Sequence, residues 1–226
     1  MHILAELPVT TVKLIWDRSI HGRAGNSARQ LRGAIASVFS DNSLFHQHFV
    51  AGKTLYRYPL IQYRWEDGCG LVVGWLEGAE VLSNISWLET ELVLGTKKVC
   101  ISDALIKFKA AAFGVADRLN HYKLRSPLLL FNQNNYKAYK KMSPQERRDE
   151  CDRLLVAQIL TALRGLHVDF DTRLYASFIS TRTVPCRYKE QDLIGLTGRF
   201  ATNAILADGF AIGHAVSHGY GWIQRN

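Results

Sequence analysis

Near the start of the chain, the pattern of apolar and polar positions predicts a strand followed by a helix. Val9 to Arg18 is rich in β-branched residues and partly alternates, as a half-buried strand does. A turn precedes Ser27, which is predicted to cap the helix. The apolar residues after Ser27 recur at helical spacing and are predicted to face a core: Ala28, Leu31, Ile35 and Val38.

The next pattern predicts a hairpin, a second helix and another strand. Tyr56 to Trp65 and Leu71 to Trp75 are β-rich, and the turn sequence Glu66-Asp67-Gly68 separates them. A helix is predicted over Ala79 to Glu89 and a strand over Val93 to Ile101. The first half therefore has the predicted order β-α-β-β-α-β.

The clearest helix start in the second half lies at Ser143. Glu146 follows three residues later in a capping box, and Pro144 occupies the first helical position. This helix is predicted to run to about Arg164 and to end at Gly165. Other segments are predicted from composition: extended stretches at 104–113, 128–131, 173–187 and 192–207, and a short basic helix at 134–141.

Composition favours a globular protein with a polyanionic partner. The 226 residues carry a net charge of +8, although ordinary basic soluble proteins share this property. The cysteines are scattered without Cys-x-x-Cys spacing, so neither a zinc knuckle nor a disulfide framework is predicted. No signal peptide or membrane-spanning run is recognised, which predicts a cytoplasmic protein with no membrane partner.

His46 and His48 are the sharpest candidates for catalysis because they stand two residues apart. In an extended segment such residues point to the same side, so both imidazoles could converge on one substrate. With ordinary pKa values of about 6.5, one ring can be neutral while the other is protonated. That pair suits RNA transesterification, in which a base takes the 2′-OH proton and an acid protonates the departing 5′-oxygen. Structural histidines, or a metal site without evident further ligands, are the open alternatives.

Tyrosines and arginines near these histidines are candidate phosphate-binding groups. Tyr56 and Tyr58 would share one face of a strand, where aromatic packing is an equally good explanation. Arg29 and Arg32 lie on the first helix and could hold a phosphate through paired donors, or could simply be solvated. Lys53 is a further candidate RNA contact.

The end of the chain is rich in glycine, with the spacing Gly213-x5-Gly219-x-Gly221. Clustered glycines mark places where a backbone or a ligand approaches closely, and exposed N–H groups there can face a phosphate. The residues between them add two imidazoles and a hydroxyl: His214, Ser217 and His218. Walker A, Rossmann and Gly-x-Ser-x-Gly sequences are absent from the chain, so those enzyme classes are not indicated.

Several of these segments together resemble one known family. The terminal Ala-Ile-Gly213-x5-Gly219-Tyr-Gly221 is similar to the glycine-rich loop of the repeat-associated RNA-binding (RAMP) superfamily of CRISPR systems. Four further segments resemble its endoribonuclease branch, which cuts CRISPR repeat transcripts into guide RNAs: Leu31-Arg-Gly-Ala34, Phe45-His-Gln-His48, Tyr56 to Tyr63, and Asn132-Gln-Asn-Asn-Tyr136. Three loop positions depart from the pattern: Ala211 stands where another glycine is common, and His214 and His218 replace the more usual lysine or arginine.

The resemblance implies an α+β fold of two tandem ferredoxin-like (RRM-type) βαββαβ modules with a C-terminal glycine-rich loop. We expect the first module at 1–98 and the second at 99–226. The resemblance also implies cleavage without a metal or other cofactor, leaving 2′,3′-cyclic phosphate and 5′-OH ends. His46 and His48 would be catalytic, with Tyr56 (or Tyr58) and Arg32 assisting.

The expected partner is CRISPR repeat RNA, with further effector subunits and the choice between monomer and dimer left open. The expected RNA contacts combine basic residues with the glycine loop: Arg29, Lys53, Tyr58, Gly213, His214, Ser217, His218, Gly219 and Gly221. An alternative function is a non-catalytic RNA-binding subunit of a CRISPR effector complex, because this superfamily also contains scaffold proteins.

Overall fold

The computed structural model describes residues 2–22, 24–45, 58–188 and 191–226, with residues 133 and 134 described by backbone alone. The chain forms two compact units. We call the first the N-terminal unit, which contains Leu7–Ala110 and Ser217–Gly219. The C-terminal unit contains Met1–Glu6, Ala111–Val216 and Tyr220–Asn226.

The N-terminal unit contains antiparallel strands covered by helices. Residues Ile61–Glu66 pair with Cys69–Trp75 in a hairpin, which confirms the predicted turn at Glu66-Asp67-Gly68. The second hairpin strand also pairs with the first strand, from Val9↔Trp75 to Leu14↔Gly70. The elements are β1 (His2–Trp16) from Leu7 onwards, α1 (Ala24–Val38), β2 (Ile61–Glu66), β3 (Cys69–Trp75), α2 (Glu77–Ser83), β4 (Glu91–Leu94) and the start of β5 (Lys97–Leu124). Up to β4, their order is the predicted one.

The C-terminal unit is also built on antiparallel strands. Its elements are the end of β5, α3 (Gln133–Tyr139), α4 (Pro144–Gly165), β6 (Ala176–Tyr188), β7 (Gln191–Ile205) and β8 (Ile223–Arg225). Strand β7 pairs with β6 on one side and β5 on the other, and β8 also pairs with β5. The mixed α+β class with antiparallel pairing is therefore confirmed.

Local sequence signals account for the long helix α4. Ser143 Oγ accepts a hydrogen bond from Glu146 N at 3.4 Å, and Glu146 Oε2 accepts one from Ser143 N at 2.7 Å. This reciprocal pair satisfies two backbone donors that lie at the helix start, where no carbonyl is available. The predicted capping box is confirmed.

The core of the N-terminal unit places α1 on the β2–β3 hairpin. Leu31 and Ile35 are fully buried in this core, and Trp16 stacks on Trp65 with ring centroids 5.6 Å apart. Gly70 makes the close approach possible, because a Cβ there would lie 2.9 Å from both Leu31 and Trp16 side-chain atoms. The helix is thus held in a fixed position relative to β2.

Two boundary predictions in the first helix were wrong. The helix begins at Ala24, so Ser27 lies inside it and is buried. Val38, predicted to face the core, is 46% exposed because it occupies the last position of α1.

Two later boundaries were also wrong, for reasons of tertiary packing. Helix α2 ends at Ser83 because Trp87 turns back into the core, where its Nε1 donates to Leu82 O at 3.2 Å. The single strand predicted at 93–101 is a hairpin: Leu94 pairs with Lys97, and Gly95 between them has φ of +66°.

The finer description as two tandem ferredoxin-like modules, divided at 98/99, stays a prediction. Strand β5 runs without interruption from Lys97 to Leu124. Among the described residues, no helix is both long and apolar enough to cross a membrane.

Candidate functional site

Helix α1 presents the two predicted arginines on the N-terminal unit. Arg29 is exposed, and its Nη2 donates to Asn26 Oδ1 at 3.0 Å within the same helix. Arg32 is half-buried and acts electrostatically on the buried hydroxyl of Tyr63. Burial raises the pKa of Tyr63, and the positive charge of Arg32 opposes that rise. Arg32 therefore lies close to the middle of β2.

A polar chain runs along β2 from the end of the predicted catalytic segment. Gln62 Nε2 donates to Tyr58 Oη at 2.8 Å and to Pro59 O at 3.2 Å. Arg64 Nη2 in turn donates to Gln62 Oε1 at 3.2 Å. Gln62 and Arg64 share one side of the strand because they are two residues apart. The chain connects Tyr58 to the interior of the unit.

Arg64 is an unusual residue for a strand interior, since only 4% of its surface is exposed. Burial lowers the pKa of Arg64 to about 10, while nearby Tyr58 and Glu66 act in the opposite direction. The guanidinium therefore keeps its charge at neutral pH. It supplies a buried positive charge on β2.

The turn Ser217–Gly219 packs against α1 and β2 in the same unit. Gly219 has φ of +88°. A Cβ there would lie 3.0 Å from Ala28 Cβ and 3.1 Å from Tyr63 O. The turn thus requires glycine both for its backbone conformation and for the short distance to its neighbours. Ser217 is buried and His218 is half-buried.

Two of the predicted site residues therefore meet at β2 in the N-terminal unit. Arg32 and Gly219 both lie beside Tyr63, and Gly219 also lies over the backbone of Arg64. The turn from the end of the sequence brings backbone groups to the strand that carries the polar chain. This arrangement offers cationic and hydrogen-bonding groups in one place, as a phosphate site requires.

Gly213 and Gly221 belong to the C-terminal unit, and packing explains both. Gly213 has φ of +91°, and a Cβ there would lie 2.9 Å from Leu129 O. Gly221 has φ of +68°, and a Cβ there would overlap Ile212 O. Close backbone approach accounts for these two glycines without a ligand. Their role in RNA binding stays a prediction.

His214 is held next to these glycines by its backbone. Its N–H donates to Leu129 O at 2.9 Å. Partial desolvation lowers the pKa of the His214 ring, and a hydrogen bond with the Leu130 backbone opposes this effect. The ring is therefore mainly neutral at pH 7 and would add little positive charge to a phosphate contact at that pH.

Four predicted site residues lie outside the described residues: His46, Lys53, His48 and Tyr56. The residue before this segment, Phe45, is buried in the core of the N-terminal unit and stacks on Phe39 with centroids 5.3 Å apart. The described chain resumes at Tyr58, which begins the polar chain. Their roles stay predictions.

Gln62 and Arg64 are the site residues that sequence reasoning missed. The available signal was an arginine between two aromatic residues, Tyr63 and Trp65, in a predicted strand. Among the described residues, no group of three or more His, Cys, Asp or Glu side chains could hold a metal ion.

Comparison with known proteins gives matches over both halves of the chain. A family model described as the Cas6b N-terminal domain matches residues 5–112, and one described as the Cas6b C-terminal domain matches residues 114–226. An uncharacterized protein of Methanocaldococcus jannaschii is 29% identical over 146 residues, which are 65% of this chain and 97% of that protein.

Solved structures share the fold. A crystal structure of Cas6b has a TM-score of 0.89 at 24% identity, covering 98% of this chain and 100% of that one. The structure of a CRISPR RNA processing endoribonuclease, Cas6b, has a TM-score of 0.74 at 21% identity, covering 97% and 100%. A Cas6-related protein of Pyrococcus furiosus has a TM-score of 0.55 at 11% identity, covering 98% and 99%.

Proposed function

The chain belongs to the Cas6b family, and on that premise we propose that it is an endoribonuclease that cuts CRISPR repeat transcripts into guide RNAs. One observation in the structure carries the proposal. Arg32 and the Ser217–Gly219 turn both lie beside Tyr63 of β2. The opposite side of the same strand carries the buried Arg64 in a polar chain that begins at Tyr58, and the paired histidines precede Tyr58 in the sequence. These groups would hold a scissile phosphate, and the paired histidines would supply the titratable side chains.

The proposed reaction is an internal transesterification. One histidine of the pair His46 and His48 accepts the ribose 2′-OH proton, and the 2′-oxygen attacks the adjacent phosphorus. The bond from phosphorus to the 5′-oxygen breaks, and the other histidine donates a proton to that leaving oxygen. The products are a 2′,3′-cyclic phosphate and a 5′-OH, and no metal or other cofactor takes part.

Arginines would stabilise the additional negative charge of the pentavalent phosphorane. Arg32 would do so directly, since it is only half-buried on α1. Arg29 is exposed on the same helix and would contact the RNA strand further along. Arg64 is buried and would act through its electrostatic potential rather than by contact.

Tyrosines would orient the phosphate or a histidine. Tyr58 Oη accepts a hydrogen bond from Gln62 Nε2, which orients its hydroxyl group. Tyr56 is the favoured assistant on the basis of the family resemblance. Lys53, His214, Ser217 and His218 would contribute RNA contacts, with Gly213, Gly219 and Gly221 shaping the backbone that presents them.

Cleavage of a repeat transcript in EDTA tests the proposal. We expect cleavage to persist in EDTA and to fall by about 10²- to 10⁴-fold in His46→Ala and in His48→Ala. His21→Ala is the matched control, because His21 is an exposed histidine of the same unit that lies outside the proposed site. A single 2′-deoxy nucleotide at the cleavage position should block cleavage while leaving binding intact.

Different outcomes reject different parts of the proposal. Loss of cleavage in EDTA would reject the metal-free mechanism, and unchanged rates in both alanine variants would reject the histidine assignment. Tight binding of the intact repeat without any product would instead favour the non-catalytic RNA-binding subunit.

A further inference from the structure

The C-terminal unit contains a cleft that the proposed reaction does not use. It lies between α3 and the beginning of β7 and has a volume of about 380 Å³. This volume falls within the range of about 300–1,000 Å³ that small-molecule sites occupy. Five of its lining residues matter for what it could bind: Phe131, Tyr136, Lys137, Lys140 and Asp192.

An aromatic cluster forms one wall of this cleft. Phe131 is only 6% exposed, and its ring centroid lies 5.9 Å from that of Tyr136 and 4.4 Å from that of Tyr139. The contacts hold Tyr136 in place while leaving it half-buried. A ring fixed in this way is a preorganised surface on which a nucleobase can stack.

Two ammonium groups stand beside the aromatic wall. Lys137 lies in α3 and Lys140 directly follows it; both are exposed and both line the cleft. Lys140 Nζ lies 4.8 Å from the centroid of the Tyr136 ring. Positive charge adjacent to a stacking surface suits a ligand that combines an aromatic ring with a phosphate.

Asp192 adds a third kind of group to the same cleft. It is exposed and lines the cleft at the start of β7. A carboxylate repels a bare phosphate but accepts hydrogen bonds from the exocyclic amino groups of bases. A site for a simple anion would not contain it, whereas a site for a nucleotide can use it to read the base.

We propose that this cleft binds one unpaired nucleotide of the RNA, separately from the scissile phosphate. Its base stacks against Tyr136, its phosphate contacts Lys137 and Lys140, and Asp192 accepts from the amino group of adenine, cytosine or guanine. Uracil has no such group and binds less well. This inference rests on the proposed function, because it takes the RNA substrate as the ligand.

Abasic scanning of the repeat RNA tests the site. The RNA carries a 2′-deoxy nucleotide at the cleavage position so that binding is measured without cutting, and each other nucleotide is replaced in turn by an abasic one. For the unmodified protein, one position should lower the affinity by about 5-fold or more, the size of a lost base–aromatic stack. In Tyr136→Leu the same abasic position should change the affinity by less than about 2-fold.

Matched variants distinguish the effect of the cleft residues on RNA binding from the effect of residues next to the cleft. Tyr136→Phe keeps the ring and should bind like the unmodified protein, whereas Lys140→Ala should lower the salt dependence of binding by about 0.7 in log–log slope. Lys141→Ala removes a neighbouring exposed charge that does not line the cleft, so it should keep the abasic profile unchanged. Asp192→Asn should reduce the preference against uracil at the sensitive position.

The outcomes distinguish this inference from the proposed function. If the protein cuts repeat RNA normally and Tyr136→Leu shows the abasic profile of the unmodified protein, the cleft is not a nucleotide site and the proposed function stands. If the unmodified protein neither binds nor cuts repeat RNA, the proposed function fails and the inference fails with it. Lys140→Ala is informative even if Tyr136→Leu unfolds, because Lys140 is exposed.

Discussion

Replacing Gly219 by alanine should displace the Ser217–Gly219 turn from the helix and strand on which it packs. The backbone at Gly219 has φ of +88°, which costs an L-residue about 1–2 kcal/mol. The new methyl group would also lie 3.0 Å from Ala28 Cβ and 3.1 Å from Tyr63 O. Together we expect the free energy of unfolding to fall by about 1–3 kcal/mol.

Thermal unfolding and repeat cleavage measure this effect together. For a chain of this size, each 1 kcal/mol corresponds to a change in Tm of about 2–4 °C. Cleavage should fall further than stability alone explains, because a misplacement of about 1 Å at a reactive site costs up to about 100-fold in rate. Gly219→Ala protein that remains fully folded should therefore still cut slowly.

The control is a glycine-to-alanine substitution at a position where the new methyl group has free space. Gly33 lies on α1 next to Arg32, and a Cβ there would meet no atom within 4 Å. Gly33→Ala should raise the free energy of unfolding by about 0.5–1 kcal/mol, because glycine weakens a helix interior. Combining Gly219→Ala with Ala28→Gly removes one of the two short contacts, so the pair should be less destabilising than the sum by about 0.5–1 kcal/mol.

Equal behaviour of the two alanine variants would refute the reasoning. If Gly219→Ala unfolds at the temperature of Gly33→Ala and cuts at the same rate, the turn does not rest on α1 and β2. The proposed site would then lose its only described connection to the end of the sequence.

Two further predictions concern stability. Ser143→Ala removes the capping box of α4 and should lower the free energy of unfolding by about 0.5–2 kcal/mol in urea denaturation, whereas Ser40→Ala on an exposed turn should stay within about 0.5 kcal/mol. The pKa of His214 is lowered in the folded protein, so the folded state favours the neutral ring. The contribution of this ring to the free energy of unfolding is therefore complete above its unfolded pKa of about 6.5, and it is lost as the pH falls through the folded pKa. His214→Gln should therefore lose less stability between pH 7 and pH 5 than the unmodified protein, and an equal loss would contradict the assignment.

Features specified by neighbouring residues could be predicted from the sequence. The capping box of α4 involves only Ser143 to Glu146, and the β2–β3 turn involves only Glu66 to Gly68. The buried positions Ala28, Leu31 and Ile35 were also predicted correctly, because helical periodicity reports the face that is covered. The helix start at Ala24 was missed, since Ser27 has the side chain of a cap but is itself buried in the helix.

The polar chain of the site could not be predicted, because its position depends on distant segments. All residues from Ile61 to Trp65 are buried, so the alternation of β2 does not reveal a solvent-facing side on which Arg64 would be expected. Likewise, the requirement for glycine at position 219 comes from Ala28 and Tyr63, which are far away in sequence. Sequence spacing identified the glycines but not the atoms that they approach.

The position of the Ser217–Gly219 turn also has a consequence for synthesis on the ribosome. When Ala110 has been added, the main segment of the N-terminal unit is complete, but roughly 100 residues must still be translated before the turn exists. At about 5–20 residues per second, this delay lasts on the order of 5–20 s. A nascent chain can therefore fold the main segment of this unit while the turn is still missing, and the proposed phosphate site is completed only when the chain has passed Gly219.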